Sequence, residues 1–215
     1  MTRSELVRAL HSLIAPNRCP FCGAIIGAFE YWHERCYVGL RSYDGSAGVP
    51  EGLDELSAAY VYEGAVRAAL LEYKNGMASY AEPFALIMAE RLGAVDADVI
   101  VPVPSGLSTA LRRGFQPAVK MARQLSRICG KPCVCALGAR GGVQQKLLGA
   151  RRRHENALEA FFVKRPLAVA GKRVLLVDDI CTTGSTLSAC AGLLCEAGAA
   201  EVSGVVLART LLRNE

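Results

Sequence analysis

Two short stretches carry residue types at spacings that could do chemistry. The first is Val174-Leu175-Leu176-Val177-Asp178-Asp179-Ile180-Cys181-Thr182-Thr183-Gly184-Ser185-Thr186-Leu187. An apolar strand ends in two adjacent carboxylates, small hydroxyl residues follow, and a helix is expected from about Ser185. Such a loop turns several backbone N–H groups toward one point, and the helix N-terminus adds partial positive charge. With the hydroxyls of Thr182, Thr183, Ser185 and Thr186, these groups form a cradle the size of a phosphate monoester. Asp178 and Asp179 would repel that phosphate, but they suit the vicinal hydroxyls of a sugar. Phosphate beside diol reads as a 5-phosphoribosyl group. The stretch is neither a G-x-x-x-x-G-K-S/T loop nor a G-x-G-x-x-G turn. An ordinary N-cap would account for Ser185, but not for an acidic pair followed by four hydroxyls around a glycine.

The second stretch is Cys19-Pro20-Phe21-Cys22-Gly23, with ten residues between Cys22 and His33-Glu34-Arg35-Cys36. Two pairs at C-x-x-C spacing on tight turns converge four ligands, Cys19, Cys22, His33 and Cys36. A closed Cys3His set suits a structural zinc ion, since catalytic zinc keeps an open position. A small module with little apolar surface needs such a staple. The competing readings are a redox C-x-x-C pair or four unconnected residues. The odd count of nine cysteines, without an apolar secretion segment at the N-terminus, argues against a disulfide framework. Cys129, Cys133 and Cys135 have no fourth ligand at metal spacing, so buried free thiols are expected, with a second metal site as the alternative. Cys190 and Cys195 are expected in the core.

The elements that must position these groups are legible in outline. Val99 to Val103, Val174 to Val177 and Val202 to Ala208 are continuous apolar runs, the pattern of strands buried on both faces. Helical stretches lie near 116–128 and 185–197, and Gly198 stands where a helix C-cap glycine belongs. This alternation predicts a parallel α/β sheet. Upstream, Glu63-Gly64 and Asn75-Gly76 read as turns, with a helix after Pro83. Leu6, Val7, Leu10, Leu13 and Ile14 predict a short amphipathic N-terminal helix. No run reaches the length of a membrane span, and a cytoplasmic protein is expected.

At 215 residues, 52% hydrophobic and 21% charged, the chain has ample core and is not a disordered or low-complexity sequence. Its net charge is +5, unevenly placed. Between Val103 and Arg173 there are 15 Lys/Arg and 2 Asp/Glu, a net of +13, so that stretch wants an anion nearby. Within it, Arg151-Arg152-Arg153-His154 fits either a solvated helix start or a phosphate contact.

The stretch around Asp178 resembles the phosphoribosyl diphosphate signature of type I phosphoribosyltransferases. Tyr62-Glu63-Gly64-Ala65-Val66-Arg67, Tyr73-Lys74-Asn75-Gly76, Val101-Pro102-Val103-Pro104 and Arg113-Gly114-Phe115 resemble elements of the ComF family, in matching order and over nearly the whole chain. The resemblance implies an α/β fold: a type I phosphoribosyltransferase-like parallel sheet flanked by helices over 51–215, with an N-terminal helix and zinc-ribbon module over 1–50. It implies that Asp178 and Asp179 hold the ribose hydroxyls and that Cys181, Thr182, Thr183, Gly184, Ser185 and Thr186 surround the 5′-phosphate. Val103, Pro104 and Ser105 look like the diphosphate loop, with Arg113 beside it and Lys74 a further anion contact. Arg140, Gln144 and Lys146 fall in what looks like the mobile loop that closes over substrate. Mg2+ would arrive with the diphosphate. Three departures stand out. Gln116-Pro117 replaces the family's usual Asn-Gln, Cys181 stands where Tyr or Val is usual, and one zinc ligand is histidine.

Two functions follow as expectations. One is transfer of a phosphoribosyl group from phosphoribosyl diphosphate to an acceptor that the sequence does not name. The alternative is a non-catalytic module that senses phosphoribosyl diphosphate or nucleotides, or that acts in competence and DNA uptake with single-stranded DNA or a DNA-handling protein.

Overall fold

A computed structural model describes residues 14–106, 111, 113–140 and 160–211. The amphipathic N-terminal stretch, except Ile14, lies outside the described residues, as do Gln144 and Lys146. Among the described residues, a short helix, α1 (Glu34–Val38), is followed by strand β1 (Glu55–Val61). Helices α2 (Gly64–Lys74) and α3 (Ala81–Leu92) precede β2 (Val99–Pro102), and α4 (Pro117–Cys129) follows it. A two-stranded antiparallel hairpin pairs β3 (Leu137–Ala139) with β4 (Phe161–Val163). The chain then forms β5 (Arg173–Cys181), α5 (Ser185–Glu196) and β6 (Glu201–Arg209).

The main sheet has the order β1-β6-β5-β2, and every pairing in it is parallel. Its strands are apolar on both faces because helices cover both. Leu175, Val177, Val205 and Leu207 pack under α2, α3 and α4, through Leu70, Tyr73, Phe84, Met88, Met121 and Leu125. On the other face, Val174, Leu176, Val202 and Val206 meet α5 through Leu187, Cys190, Ala191 and Leu194. After β2 the chain departs to α4 on the first face; after β5 it departs to α5 on the second. The two connections part at the carboxyl ends of adjacent strands, which opens the crevice where parallel α/β sheets bind ligands.

The parallel α/β expectation holds, with differences in detail. Upstream of β2 there is an additional strand, β1, and Glu63-Gly64 opens helix α2 rather than making a turn. Helix α3 begins before Pro83, which sits in its first turn where the missing N–H is tolerated. Strand β5 runs past the two aspartates to Cys181, so the hydroxyl loop is shorter than the sequence implied. Pro117 opens α4 at its first position. Gly198, at φ +87°, follows α5 in the left-handed conformation that the turn requires. Cys190 is buried, but Cys195 is exposed, against the expectation that both are core. Five positions rotate about 140° around a helix, so the two cannot share a face.

Tyr73 ties this face together. Its ring is fully buried, edge-on to Phe84 with centroids 5.4 Å apart, and 5.2 Å from Phe115. Its hydroxyl donates to the carbonyl of Pro117 at 2.9 Å, which fixes the end of α2 to the start of α4. Tyr73→Phe keeps the ring but leaves that buried carbonyl without its donor. A loss of about 1–3 kcal/mol in urea unfolding is expected; equal stability would show that the bond contributes nothing.

Candidate functional site

The carboxyl end of β5 lies between β2 and β6 and leads directly into the hydroxyl loop. Alternation along β5 sends Val174 and Leu176 toward α5, and Leu175 and Val177 toward α2–α4. Asp178 and Asp179 therefore leave the strand on opposite faces. Asp179 is buried, and the Lys74 ammonium at the end of α2 lies 2.9 Å from its carboxylate. Asp178 accepts a hydrogen bond from the Asp179 N–H at 2.8 Å. Burial, and next the charge of Asp179, push its carboxyl up to about 8. The raised Asp178 carboxyl lowers the negative charge of the pair at neutral pH, and the Lys74 ammonium faces it. An incoming phosphate thus meets less negative charge than two bare carboxylates would present.

Beyond Cys181 the chain turns through Thr182 and Thr183, both exposed, to a buried Gly184. Gly184 has φ +87°, and a Cβ there would lie 2.8 Å from Cγ of Pro50. Both the conformation and the contact demand glycine. Among the described residues, no backbone carbonyl accepts from the N–H groups of Thr182, Thr183 or Gly184. The Thr183 and Ser185 hydroxyls stand 3.0 Å apart, at the start of α5. These groups are placed to meet an anion. The Cys181 thiol is buried, and burial pushes it up against the pull of Arg209. It is a neutral filler beneath the loop.

Across the crevice, Val103 N–H donates to the Val177 carbonyl at 2.9 Å, carrying the β2–β5 ladder one step past β2. Pro104 and Ser105 then turn away half-buried. Arg113 is half-buried before α4, and no described contact ties its guanidinium to the hydroxyl loop. Arg140 is exposed on the β3–β4 hairpin, 6.0 Å from the Phe162 ring. The structure thus brings Lys74, Asp178, Asp179 and the 181–186 segment together, flanked by 103–105.

Two residues beside this loop carried no motif: Pro50, against Gly184, and Arg209, opposite Cys181. The signal in the sequence was a cation directly after the apolar run Val205-Val206-Leu207-Ala208 of β6.

The second cluster lies near the N-terminus. One ligand atom each from Cys19, Cys22, His33 and Cys36 falls within 4.8 Å of all the others. Tetrahedral zinc with bonds of about 2.3 Å would hold sulfurs about 3.8 Å apart, so the spacing fits. His33 Nδ1 lies 3.3 Å from the Cys22 sulfur, and the His33 N–H points to the Cys19 sulfur at 3.4 Å. The first pair sits on a turn closed by Gly23 N–H to the Cys19 carbonyl. The second pair stands at the start of α1 rather than on a second free turn. The cluster is part of the main core: Cys19, Phe21 and Ile26 share the apolar cluster of α2 and α3. Trp32 stacks on Tyr37 at 4.8 Å, Tyr37 lies edge-on to Tyr60 of β1, and its hydroxyl meets Glu90 of α3.

The raised Asp178 carboxyl sets a pH dependence. Folded protein keeps a proton that the unfolded chain has lost above about pH 4, so this burial opposes folding increasingly up to about pH 8 and evenly beyond. Asp178→Asn, melted between pH 4 and 9, should gain little over the parent at pH 4. Its advantage should widen toward pH 8 and then level off. A pH-independent difference would mean that Asp178 is charged in the folded protein.

Comparison with known proteins follows the same lines. Residues 96–213, more than half of the chain, match the phosphoribosyl transferase domain family. DNA utilization protein YhgH of Escherichia coli K12 is 38% identical over 116 residues, covering 53% of this chain and 50% of that protein. Competence protein ComFC of Bacillus subtilis is 26% identical over 209 residues, covering 92% of this chain and 80% of its own length. The chain thus spans about half the length of the E. coli relative it matches. Among solved structures, glutamine phosphoribosylpyrophosphate amidotransferase from B. subtilis aligns with 60% of this chain and 26% of its own, at 23% identity and a TM-score of 0.45. Among the described residues no helix is long and apolar enough to cross a membrane. The chain belongs to the phosphoribosyl transferase domain family and, within it, to the ComF family.

Proposed function

We propose that the chain binds phosphoribosyl diphosphate at the carboxyl end of β5 and transfers the phosphoribosyl group to an acceptor. The observation that carries this reading is the loop 182–185, where among the described residues the N–H groups of Thr182, Thr183 and Gly184 meet no backbone carbonyl and hydroxyls cluster at a helix start, rooted in an acidic pair with Lys74 beside it. The 5′-phosphate would sit in the loop through Thr182, Thr183, Gly184, Ser185 and Thr186. The diphosphate would lie across the crevice against Val103, Pro104 and Ser105, with Arg113, Arg140 and Lys74 as cationic neighbours. Mg2+ would enter with the diphosphate as its counter-ion. In transfer, the bond from the anomeric carbon to diphosphate breaks as the acceptor's lone pair forms the new one, and the acceptor gives up a proton. Asp178 and Asp179 are placed to hold the ribose hydroxyls, and the negative charge that the pair retains would stabilise the cation-like ribose. In this reading residues 51–215 form the phosphoribosyltransferase-like domain, and 1–50 a zinc-stapled module.

One specific observation favours a second reading, a DNA-associated role in competence, which the names of the relatives also support. On the β3–β4 hairpin, Phe162 has Arg140 at 6.0 Å and Lys164 at 5.8 Å from its ring centre. An aromatic ring between two cations can take a base and its phosphates.

Thermal melting with phosphoribosyl diphosphate and Mg2+ tests the first reading. Ligand at 100 times its dissociation constant should stabilise the parent by about 2.7 kcal/mol. Thr183→Val, at an exposed loop position, should keep the parent's unliganded stability and lose most of that shift. No shift in the parent, together with single-stranded DNA binding that falls steeply with salt, would transfer the assignment to the second reading.

Metal content tests the zinc assignment. Purified protein should carry one zinc per chain, and Cys22→Ser, at an exposed ligand, should lose it. Chelation should expose residues 16–50 to protease before the rest. Metal-free parent with unchanged proteolysis would overturn it.

A further inference from the structure

Arg209 is a buried cation with no carboxylate partner among the described residues. It ends β6, opposite Cys181 in the β5–β6 register, and is only 4% exposed. Among the described residues no Asp or Glu lies within ion-pair distance of it. Its two terminal nitrogens donate to the carbonyls of Ala47 and Gly48, at 3.2 and 2.5 Å. Among the described residues its Nε has no acceptor, and the guanidinium lies over the Tyr43 ring at 5.6 Å. Desolvating a guanidinium for two carbonyls is costly, and stability alone gives no reason to place one there.

What Arg209 holds explains its position. Residues 41–43 run along β1, with Tyr43 N–H donating to the Ala59 carbonyl at 3.0 Å. The Tyr43 hydroxyl accepts from the Ala47 N–H at 2.7 Å. The chain then passes Gly48 and Val49 to Pro50, whose ring closes on Gly184. At Gly52 it lies against Ala191 in the middle of α5. This strap is mostly exposed and carries little apolar surface of its own, so Tyr43 and Arg209 are its anchors.

We propose that Arg209 is a positioning residue for the hydroxyl loop. It pins the 43–50 strap by its carbonyls, so that Pro50 holds Gly184 and its neighbours in the anion-binding conformation. Arg209 touches no ligand; it acts through the strap. The proposal rests on the reading of loop 182–186 as the phosphate site and adds the support that keeps that loop shaped.

The test uses the full chain with phosphoribosyl diphosphate and Mg2+ as the probe, by calorimetry well below the melting temperature, and hydrogen exchange without ligand. Arg209→Lys keeps the charge but cannot span both carbonyls. Pro50→Ala keeps Arg209 intact, lies at a half-exposed position and should fold whatever Arg209→Lys does. Each should weaken binding about tenfold and speed exchange in residues 182–188. Because both act through one strap, the double variant should bind no more weakly than the weaker single. Parent-like affinity and exchange in Pro50→Ala, or multiplying losses in the double variant, would overturn the proposal. A parent that binds no probe, yet shows faster loop exchange in both variants, would sink the phosphate-site reading while the strap stands. A role in stability alone would lower the melting temperature and leave affinity and loop exchange unmoved, and this too would overturn the proposal.

Discussion

An anion cannot be held beside two carboxylates unless their charge is taken up, and the site is built around that constraint. The strand pleat sends Asp178 and Asp179 to opposite faces, so each meets its own surroundings. Asp179 meets Lys74 at 2.9 Å. Asp178 meets an apolar face and a neighbouring negative charge, and keeps its proton at neutral pH. The loop that follows can then offer its N–H groups and hydroxyls to a phosphate without opposing charge beneath it. The arrangement has a cost in the free protein, since the half-buried Asp178 carboxyl on the α5 face is pushed up by desolvation and by the charge of Asp179.

The position of Lys74 depends in turn on α2 and on Tyr73 beside it. Tyr73 is locked by Phe84, Phe115 and the Pro117 carbonyl. One buried ring therefore fixes three things: the end of α2 that carries Lys74, the start of α4, and the approach from β2. The parallel order β1-β6-β5-β2 places the exits from β2 and β5 side by side and sends them to opposite faces. The crevice follows from that divergence, and the loop after β5 lines one of its walls.

The metal cluster is a part of this frame. Cys19 is fully buried in the same apolar cluster as Tyr73 and Phe84. Trp32, Tyr37 and Tyr60 join α1 to β1 by ring contacts. The chain between the cluster and β1 is the strap that Arg209 holds against Gly184. Consecutive segments of one short stretch thus serve the metal ligands, the edge of the sheet and the anion loop.

The amino-acid sequence by itself determined the features whose physics is local. Apolar runs bounded by turn residues specify buried parallel strands. A strand, an acidic pair, hydroxyls around one glycine and a helix specify an anion cradle, because the groups that make it are consecutive. Four ligands in two pairs at C-x-x-C spacing specify a metal cluster for the same reason. The tertiary structure alone decided what depends on distant neighbours. Lys74 became the counter-ion of Asp179, and the proton on Asp178 was set by which face of β5 is dry. Cys195 was turned to solvent by helical rotation. Glu63-Gly64, a turn when read locally, became the opening of a helix once α2 had a sheet to cover. Pro50 against Gly184, and Arg209 beneath the strap, are contacts between segments far apart in the chain. Desolvation and through-space charge depend on what surrounds a group in three dimensions, and spacing along the chain does not carry that information.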